Sequence, residues 1–182
     1  MVQGRGVDPS LNDEGIRQSL SAFNVLKKEG FDHIYTSSLK RTHETVRPFV
    51  EAGIMTSAYE GFDEISWGNQ EGKEASYEAK NLYAATVNGW REGNLELNVG
   101  GGENPLQVME RQKKAMQEVL NSDHERVLIC MHGRAMRVLL CWVLNYPLSY
   151  MDGFPHQNCA YYAINYRSDR FYLKHFNKID HL

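Results

Sequence analysis

The spacing of apolar residues predicts that helices and strands alternate along most of the chain. Between Leu11 and Gly30, apolar residues recur at steps of three and four, which is the period of an amphipathic helix. Asn12 occupies the expected N-cap position, and Gly30 is placed to end the helix. The apolar and β-branched run "FDHIYTSSL" then predicts a short strand, and residues 39–52 predict a second helix that stops near Gly53.

The second half of the chain continues this alternation and ends with a hairpin. Residues 54–74 are predicted to be irregular, because glycines interrupt their aromatic and acidic residues, and residues 75–92 have a helical composition. "NPLQVMERQKKAMQEVL" predicts a strong helix with Pro105 in its first turn. "RVLICMHG" is the continuous apolar run of a buried strand, and "RAMRVLLCWVL" has helical spacing. "CAYYAINY" and "RFYLKHF", separated by a polar turn at 167–169, predict a terminal hairpin.

Strands separated by helices predict an α/β protein. The expected architecture is a three-layer αβα sandwich with a mostly parallel sheet and an antiparallel departure near the end. A length of 182 residues without a linker or an internal repeat predicts one domain over residues 1–182. Hydrophobic residues make up 42% and charged residues 24%, and these fractions exclude disordered, collagen-like and coiled-coil chains.

The net charge and the cysteine content limit the classes of partner and the cellular compartment that the sequence predicts. The net charge of -3 predicts no nucleic-acid partner, although a few clustered arginines could still bind a small anion. Cys130, Cys141 and Cys159 lie in apolar segments, which indicates buried thiols in a reducing compartment and therefore a cytoplasmic location. No apolar run approaches the ~18–20 residues that span a bilayer, so no membrane partner is predicted.

Candidate chemistry is concentrated where predicted strands give way to helices. In "VLICMHGRAMRVLL", an apolar strand ends at His132, Gly133 permits a tight turn, and a helix starts at once. His132 is therefore expected at the carboxyl end of a strand, beside the free N–H groups of a helix start, where open α/β sheets bind anions such as phosphate. The same segment also fits a histidine that packs under a loop.

Two further segments supply groups that suit a phosphate ester. In "SSLKRTHET", Arg41 falls in the first turn of the helix that follows a strand, where its guanidinium could grip two phosphate oxygens. In "DEISWGNQEG", Glu64 lies among aromatic and apolar neighbours, and a carboxyl desolvated there could keep its proton and act as a general acid. Each residue alone also fits an ordinary solvated side chain, so the prediction depends on their combination.

Four segments, in their order along the chain, resemble the histidine phosphatase or phosphoglycerate mutase-like superfamily. They are "VQGRGVDPSLNDEGIRQ", "IYTSSLKRTHET", "DEISWGNQEG" and "GGEN" with "CMHGRAMR", and they span nearly all 182 residues. The resemblance implies a phosphoglycerate mutase-like fold and phosphoryl transfer on a small phosphorylated substrate, with no metal and no organic cofactor. It also implies that a first histidine, in an Arg-His-Gly motif, attacks phosphorus and becomes phosphohistidine.

The resemblance assigns catalytic roles to residues of this chain. His132 matches the second catalytic histidine, Glu64 the donor of a proton to the departing alkoxide, and Arg41 the arginine that grips the phosphate. Such a transition state requires preorganised positive charge and hydrogen-bond donors around the phosphoryl oxygens. The three residues therefore form the expected catalytic and phosphate-binding group.

Three glycine or amide positions complete the implied site, and two positions depart from the family pattern. Gln3 and Gly4 match a loop pair that lines the substrate pocket, and Gly133 matches a glycine that lends a backbone N–H. Met131 stands where the family often has Ser or Thr, and Arg134 stands where a small residue is usual. Arg134 could crowd the pocket or add a phosphate contact, and the sequence leaves both open.

The Arg-His-Gly motif itself does not occur in the 182 residues. Of seven histidines, only His132 precedes a glycine, and Met1 stands two residues before Gln3, where the family has a first strand that carries the motif. Loss of the nucleophile cost on the order of 10⁶ in rate in a serine protease, so this chain is expected to be inactive. Our hypothesis is an N-terminally truncated sequence, and the alternative is a pseudo-enzyme that binds phosphorylated ligands.

A missing first strand has a structural consequence. In the family fold that strand lies inside the sheet, beside the strand that ends at His132, so its absence would leave backbone N–H and C=O groups unpaired. Each such group costs ~1–3 kcal/mol against a total stability of ~5–15 kcal/mol. We therefore expect the gap to be closed, either by rearrangement of the sheet or by strand exchange with another chain in a homo-oligomer.

A phosphomonoesterase is the function that these features favour. Mutases of the family tend to carry inserted segments that close over the site, whereas this chain is compact; a phosphoglycerate mutase and a non-catalytic phospholigand-binding protein are the alternatives. "NVGGGEN" is not a strand followed by a dinucleotide-binding glycine motif, and His156 with Cys159 lacks a second pair of zinc ligands. The sequence does not identify the substrate, and residues 73–100 are expected to supply the lid.

Overall fold

The structure, a computed structural model, describes residues 2–74 and 76–182 of the chain. Its helices are α1 (Asp13–Leu26), α2 (Lys40–Glu51), α3 (Tyr77–Arg91), α4 (Pro105–Leu120) and α5 (Gly133–Val143). Its strands are β1 (His33–Thr36), β2 (Met55–Ala58), β3 (Val127–Cys130), β4 (Tyr161–Arg167) and β5 (Arg170–Lys178). Short 3₁₀ helices cover Lys27–Glu29, Glu60–Phe62, Gly68–Gln70 and Leu148–Gly153. None of the described helices is long and apolar enough to cross a membrane.

Helices cover both faces of a parallel sheet whose strand order is β2–β1–β3. On one face, Ile34 of β1 and Leu128 of β3 pack against apolar residues of α1 and α2. On the other face, Tyr35 of β1 and Ile129 of β3 pack against apolar residues of α4 and α5. Alternate side chains along each strand thus pack into two separate hydrophobic layers, one on each face of the sheet. The fold is the predicted three-layer αβα sandwich.

The terminal hairpin forms a second sheet. β4 and β5 pair antiparallel, as predicted, around a turn in which Ser168 and Asp169 have φ values of 51° and 58°. Within the described residues neither strand pairs with β3, so the sheet is not continuous from β3 to β4. Rearrangement of the sheet was one of the two expected ways to close a gap beside β3, and the described residues do not form a rearranged sheet. Closure by another chain stays a prediction.

Strand β2 corrects the expectation that residues 54–74 are irregular throughout. Its sequence "MTSA" has no apolar alternation, and Met55 is 71% exposed. The strand forms because its backbone pairs with β1 along the sheet edge, from His33 opposite Met55 to Thr36 opposite Ala58. A strand held mainly by backbone pairing at an edge leaves little trace in its side-chain pattern.

The ends of helix α1 agree with the prediction, but its buried face differs from the predicted apolar face. The Asn12 side chain accepts an N–H from the first turn, and Gly30 closes the following 3₁₀ turn with a left-handed φ of 67°. Ile16 and Leu20, however, are 48% and 47% exposed. The buried face is built around Ser19 instead, whose hydroxyl donates to a backbone carbonyl of α2 at 2.7 Å.

The sheet brings two helix N-termini to one edge. Thr36 and Cys130, the last residues of β1 and β3, lie opposite each other in the parallel register. β1 leads into α2, which begins at Lys40, and β3 leads into α5, which begins at Gly133. The starts of both helices therefore face the same region, which is where open α/β folds bind anions.

Candidate active site

His132 lies directly before α5 in a buried polar cluster. The residue is 8% exposed. Its Nε2 lies 2.8 Å from the Ser37 hydroxyl, and its Nδ1 accepts a hydrogen bond of 3.2 Å from Nε of Arg41. Because a guanidinium only donates, Nδ1 carries no proton, and the neutral ring donates through Nε2–H to Ser37.

The surroundings of His132 favour this neutral form. Burial, followed by the positive charge of Arg41, lowers the pKa of His132 to about 3. Ser37 lies 2.9 Å from the Thr42 hydroxyl, which donates to the carbonyl of Leu39 at 2.8 Å. This chain of hydrogen bonds fixes the orientation and tautomer of the imidazole, with Nδ1 turned towards the guanidinium.

Arg41 projects from the first turn of α2 and connects His132 to the loop that opens the described chain. Its two terminal nitrogens donate to the carbonyl oxygens of Val7, at 2.7 Å, and Gly4, at 3.2 Å. Only 13% of the side chain is exposed. Burial lowers the pKa of Arg41, while Glu64 and other carboxylates oppose that shift. The guanidinium is therefore a fixed cation beside the imidazole.

Glu64 reaches the same helix start through space. Its carboxylate accepts the backbone N–H of Arg134 at 3.1 Å and that of Ala135 at 2.9 Å. α5 has no side-chain cap from its own N-cap residue, His132. Glu64 therefore satisfies N–H groups that the first turn leaves free, and it brings a half-buried carboxyl next to the imidazole.

Arg111 of α4 holds the loop that carries Glu64. Its guanidinium donates to the carbonyl of Gly61 at 2.8 Å and to that of Glu64 at 3.1 Å. Glu103 pairs with Arg111 at 2.8 Å and accepts the N–H of Ser66 at 2.9 Å. Burial raises the pKa of Glu103, but the hydrogen bonds and charge of Arg111 hold it below its ordinary value. No sequence pattern indicated Arg111, because an arginine on a helix is usually solvated.

The predicted pocket residues Gly4, Gln3 and Gly133 differ in their surroundings. Gly4 is buried, and a Cβ there would meet the Glu71 carboxylate and lie 2.8 Å from Cδ1 of Trp67, so a side chain would fit only if these groups shifted. Gln3 is exposed. Gly133 is the first residue of α5, and Glu64 accepts the two N–H groups that follow it rather than its own. Glu71 was missed by the sequence analysis, although it also accepts the N–H of Gly6 at 2.6 Å.

Arg134, whose role the sequence leaves open, binds within the protein. Its guanidinium donates to Asp152 at 2.6 Å and to the Tyr83 hydroxyl of α3 at 3.0 Å, and the residue is 7% exposed. Asp152 also pairs with Arg91 at 3.0 Å and with Arg137 at 3.4 Å. Burial raises the pKa of Asp152, but the charge of Arg134 and its neighbours lowers it overall. This group fastens α3, part of the predicted lid, to α5.

His156 is a second histidine near the start of α5. A Cβ built on Gly133 would lie 2.5 Å from Cδ2 of His156, so the ring packs directly against the glycine. Burial, and then the charge of Arg137, lowers the pKa of His156. Within residues 2–74 and 76–182, no group of three or more His, Cys, Asp or Glu residues is arranged to hold a metal ion. The sequence singled out His156 only as a weak zinc ligand.

The assembled site is suited to a tetrahedral oxyanion. An imidazole, a guanidinium and a carboxyl group, drawn from three separate stretches of sequence, meet where α5 begins. The Arg41 guanidinium donates to His132, Val7 and Gly4, which leaves two of its five N–H groups for an anion. The helix start adds partial positive charge, and the neutral imidazole can gain a proton when an anion arrives. His132, Arg41 and Glu64, singled out from the sequence, are thus brought together.

Comparison with known sequences places the chain among phosphoryl-transfer enzymes. The profile of the histidine phosphatase superfamily (branch 1) matches residues 1–179. Phosphoserine phosphatase 1 of Hydrogenobacter thermophilus is 29% identical over 178 residues, which are 97% of this chain and 84% of that protein. A 2,3-bisphosphoglycerate-dependent phosphoglycerate mutase of Azorhizobium caulinodans is 30% identical over 142 residues, which are 73% of this chain and 68% of the mutase.

Solved structures share the fold. A mycobacterial glucosyl-3-phosphoglycerate phosphatase in complex with inorganic phosphate gives a TM-score of 0.87 at 21% identity, covering 100% of this chain and 93% of that one. The alpha-ribazole phosphatase of Shigella flexneri gives a TM-score of 0.83 at 18% identity, covering 98% and 88%. With the profile match over nearly its whole length, the chain belongs to branch 1 of the histidine phosphatase superfamily.

Proposed function

We propose that this polypeptide has the architecture of a phosphomonoesterase that acts on a small phosphorylated metabolite through a phosphohistidine intermediate. The observation that carries the proposal is the hydrogen bond between Arg41 Nε and His132 Nδ1, made beside a helix start whose next two N–H groups are held by Glu64. A guanidinium held in place beside an imidazole and a carboxyl group supplies the preorganised charge that this chemistry requires.

In the proposed reaction, three residues of the described chain have separate roles. Arg41 binds two oxygens of the phosphoryl group, and His132 donates to a third after it takes up a proton from the incoming ligand or from solvent. Glu64, in its protonated form, serves the leaving group as general acid. Because Glu64 lies beside the first turn of α5, its carboxyl group is within reach of the ester oxygen of a substrate bound at that turn.

The reaction proceeds in two balanced steps. In the first, a nucleophilic imidazole forms an N–P bond while the ester P–O bond breaks, and Glu64 gives its proton to the departing alkoxide. In the second, the Glu64 carboxylate takes a proton from water as the water oxygen bonds to phosphorus and the N–P bond breaks. Orthophosphate and the free imidazole result, and Glu64 is again protonated.

The nucleophile is the one part that we do not assign within this chain. Residues 1–182 contain no Arg-His-Gly motif, so we expect this polypeptide alone to bind phosphate esters without hydrolysing them. A truncated form of an active enzyme and a pseudo-enzyme share that expectation. Glu64 fits the first as a general acid, and its capping contact with the start of α5 is a role that both forms share.

Phosphatase activity is proposed ahead of mutase activity. A phosphoserine phosphatase aligns over 97% of this chain and a probable phosphoglycerate mutase of Proteus mirabilis over 92%, so the length of the alignment does not separate the two activities. The preference rests on the compact chain, which lacks the inserted segments that mutases of the family tend to carry. The three cysteines are free thiols, which fits the proposed cytoplasmic location. A mutase would transfer phosphate between phosphoglycerates without net release of orthophosphate, and this difference separates the two activities in one assay.

An engineered extension tests the proposal. A strand ending in Arg-His-Gly, fused ahead of Val2, should allow release of orthophosphate from p-nitrophenyl phosphate, while residues 1–182 alone should release almost none. In the extended protein, His132→Ala and Glu64→Gln should each slow release by ~10²-fold or more. His43→Gln, at an exposed position of α2, is the matched control. Equal release by the extended protein and both site variants would show that the chemistry lies elsewhere.

A further inference from the structure

One wall of the candidate active site contains aromatic residues of the predicted lid and its neighbours. Tyr83 of α3 packs edge-on against Trp67, with the ring centroids 5.3 Å apart. Trp67 in turn lies against the backbone of Gly4, since a Cβ built on Gly4 would be 2.8 Å from Cδ1 of the indole. The carbonyl of Gly4 accepts a hydrogen bond from Arg41. Tyr83 therefore belongs to the same wall as the loop that holds the phosphate-binding arginine.

The hydroxyl group of Tyr83 is held at the start of α5. Nη2 of Arg134 donates to it at 3.0 Å. Because a guanidinium only donates, the hydroxyl oxygen is the acceptor in this bond, and the phenolic proton is left for an acceptor on a ligand. Tyr83 is 40% exposed, whereas Arg134 is 7% exposed. A ligand can therefore reach the tyrosine, with the guanidinium behind it.

The orientation of Arg134 is fixed by two further contacts. Its Nη1 donates to Asp152 at 2.6 Å, and its guanidinium lies over the ring of Trp90, 5.7 Å from the centroid. Trp90 is itself fixed, because it is buried and its indole N–H donates to the carbonyl of Leu97 at 2.8 Å. A planar guanidinium held at these points has one direction left for Tyr83. Arg134 is therefore a positioning residue that acts through the tyrosine.

Tyr83 and Arg134 lie on the side of the site where a leaving group would be bound. Glu64, the proposed general acid, accepts the backbone N–H of Arg134 at 3.1 Å. The ester oxygen that Glu64 protonates also carries the leaving group, so the leaving group begins next to the residue whose side chain contacts Tyr83. The phosphoryl oxygens are assigned to Arg41 and His132. The arrangement thus separates a phosphoryl subsite from a leaving-group subsite.

The leaving-group side carries an excess of positive charge. Arg91, Arg134 and Arg137 all pair with Asp152, at 3.0 Å, 2.6 Å and 3.4 Å. Among the described residues, no other carboxylate lies within salt-bridge distance of these three guanidinium groups. Three positive charges that share one negative charge favour a further anion nearby. A hydroxyl donor beside such a cluster is suited to a carboxylate acceptor.

We propose that Tyr83, oriented by Arg134, is a specificity-determining residue for phosphate monoesters whose leaving group carries a carboxylate. The inference rests on the proposed function, because it takes the position of the phosphoryl group from Arg41 and His132. The phenolic O–H donates to the carboxylate of the ligand, while Arg134 continues to donate to the phenolic oxygen. Arg134 stands where a small residue is usual in the family, so the contact is a feature of this chain.

Calorimetric titration of the 182-residue protein with three probes tests the proposal. The probes are orthophosphate, ethyl phosphate and phosphoglycolate, of which the last two differ in a methyl group against a carboxylate. Phosphoglycolate should bind about tenfold or more tightly than ethyl phosphate, because a hydrogen bond to a charged acceptor contributes on that order. In Tyr83→Phe this ratio should fall to about threefold or less, since only the general attraction of the arginines is left.

Two comparisons show whether the loss is specific. The affinity for orthophosphate, which does not extend to Tyr83, should stay near that of wild type in Tyr83→Phe. Tyr77→Phe removes the same hydroxyl group from a position of α3 that is 75% exposed, and it should keep the wild-type ratio between the two esters.

A second variant tests the positioning role of Arg134. Arg134→Gln should lower the ratio between the two esters in the wild-type background and change it little in the Tyr83→Phe background, because the residue acts through the tyrosine. Additive effects of the two substitutions would mean that Arg134 does not act through Tyr83. If Arg134→Gln does not fold, the comparison of Tyr83→Phe with Tyr77→Phe still decides whether Tyr83 recognises the carboxylate.

The three probes distinguish failure of this inference from failure of the proposed function. A wild-type protein that binds orthophosphate but binds the two esters equally would remove the leaving-group subsite and leave the phosphate pocket in place. The same conclusion would follow from a ratio that Tyr83→Phe leaves unchanged or that Tyr77→Phe lowers equally. A protein that does not bind orthophosphate would overturn the proposed function and this inference with it.

Discussion

The site is centred on His132, whose buried imidazole is held neutral between a hydroxyl and a guanidinium. The sequence placed His132 at the end of a strand and beside a helix start, because an apolar run, a glycine and a helical spacing follow each other there. It could not predict the Ser37 and Arg41 contacts, which join residues 95 and 91 positions apart. Such long-range pairings depend on how the sheet orders its strands.

The lowered pKa of His132 predicts a pH dependence of stability. The folded protein keeps the ring neutral down to about pH 3, whereas the unfolded chain takes up a proton near pH 6.5. The stabilising contribution is therefore complete above pH 6.5 and is lost as the pH falls below it, by up to ~1.4 kcal/mol per pH unit. Urea unfolding of wild type and His132→Gln between pH 7.5 and pH 5 measures the difference in slope.

The variant should show the weaker dependence on pH over that range. His43→Gln, which changes an exposed histidine, should keep the wild-type slope. Parallel curves for wild type and His132→Gln would mean that the imidazole is not held neutral by the fold.

At the scale of single elements, the start of α5 depends on groups outside the helix. Its N–H groups are satisfied by Glu64 from a loop, and its first residue is covered by the His156 ring. Periodicity predicted α5, and the glycine after His132 predicted a tight turn, but no local pattern predicts a cap that comes from 70 positions away. The same limit explains β2, which pairs with β1 without a side-chain pattern of its own.

Close packing at Gly133 predicts a coupled pair of substitutions. Gly133→Ala places a methyl group where Cδ2 of His156 would be 2.5 Å away, so the ring or the helix start must move. Overpacking of this kind costs about 1–3 kcal/mol. In the double variant with His156→Ala, the added cost of the Gly133 change should largely disappear. Chemical denaturation of the four proteins measures the coupling, and strictly additive effects would contradict the contact.

For the whole molecule, the order of helices and strands established the sandwich, and the motif segments located the site. The division into two sheets could not be derived from periodicity, because the pattern of β3 or β4 is the same whether or not a strand lies between them. The anchoring of α3 to α5 was equally hidden. It depends on Asp152, a residue of a 3₁₀ helix that no motif singled out.

Asp152 predicts how strongly this anchoring stabilises the molecule. Asp152→Asn leaves the buried Arg134 without its carboxylate, and removal of one partner from a buried pair costs about 3–5 kcal/mol. Asp180→Asn breaks the exposed contact with Lys178 and should cost at most ~1 kcal/mol. Thermal and urea unfolding of both variants provide the comparison. Equal effects would mean that Asp152 does not tie the lid to the core.

Calorimetric titration of the 182-residue protein with orthophosphate is the most direct test of the account. Wild type should bind at one saturable site, and Arg41→Ala should bind about 10–100-fold more weakly, because charge-assisted hydrogen bonds to an anion contribute ~1.5–3 kcal/mol. Arg47→Ala removes an exposed arginine from the same helix and should bind like wild type. A wild-type protein that does not bind orthophosphate, or an Arg41→Ala variant that binds it equally well, would contradict a phosphate pocket at His132, Arg41 and Glu64.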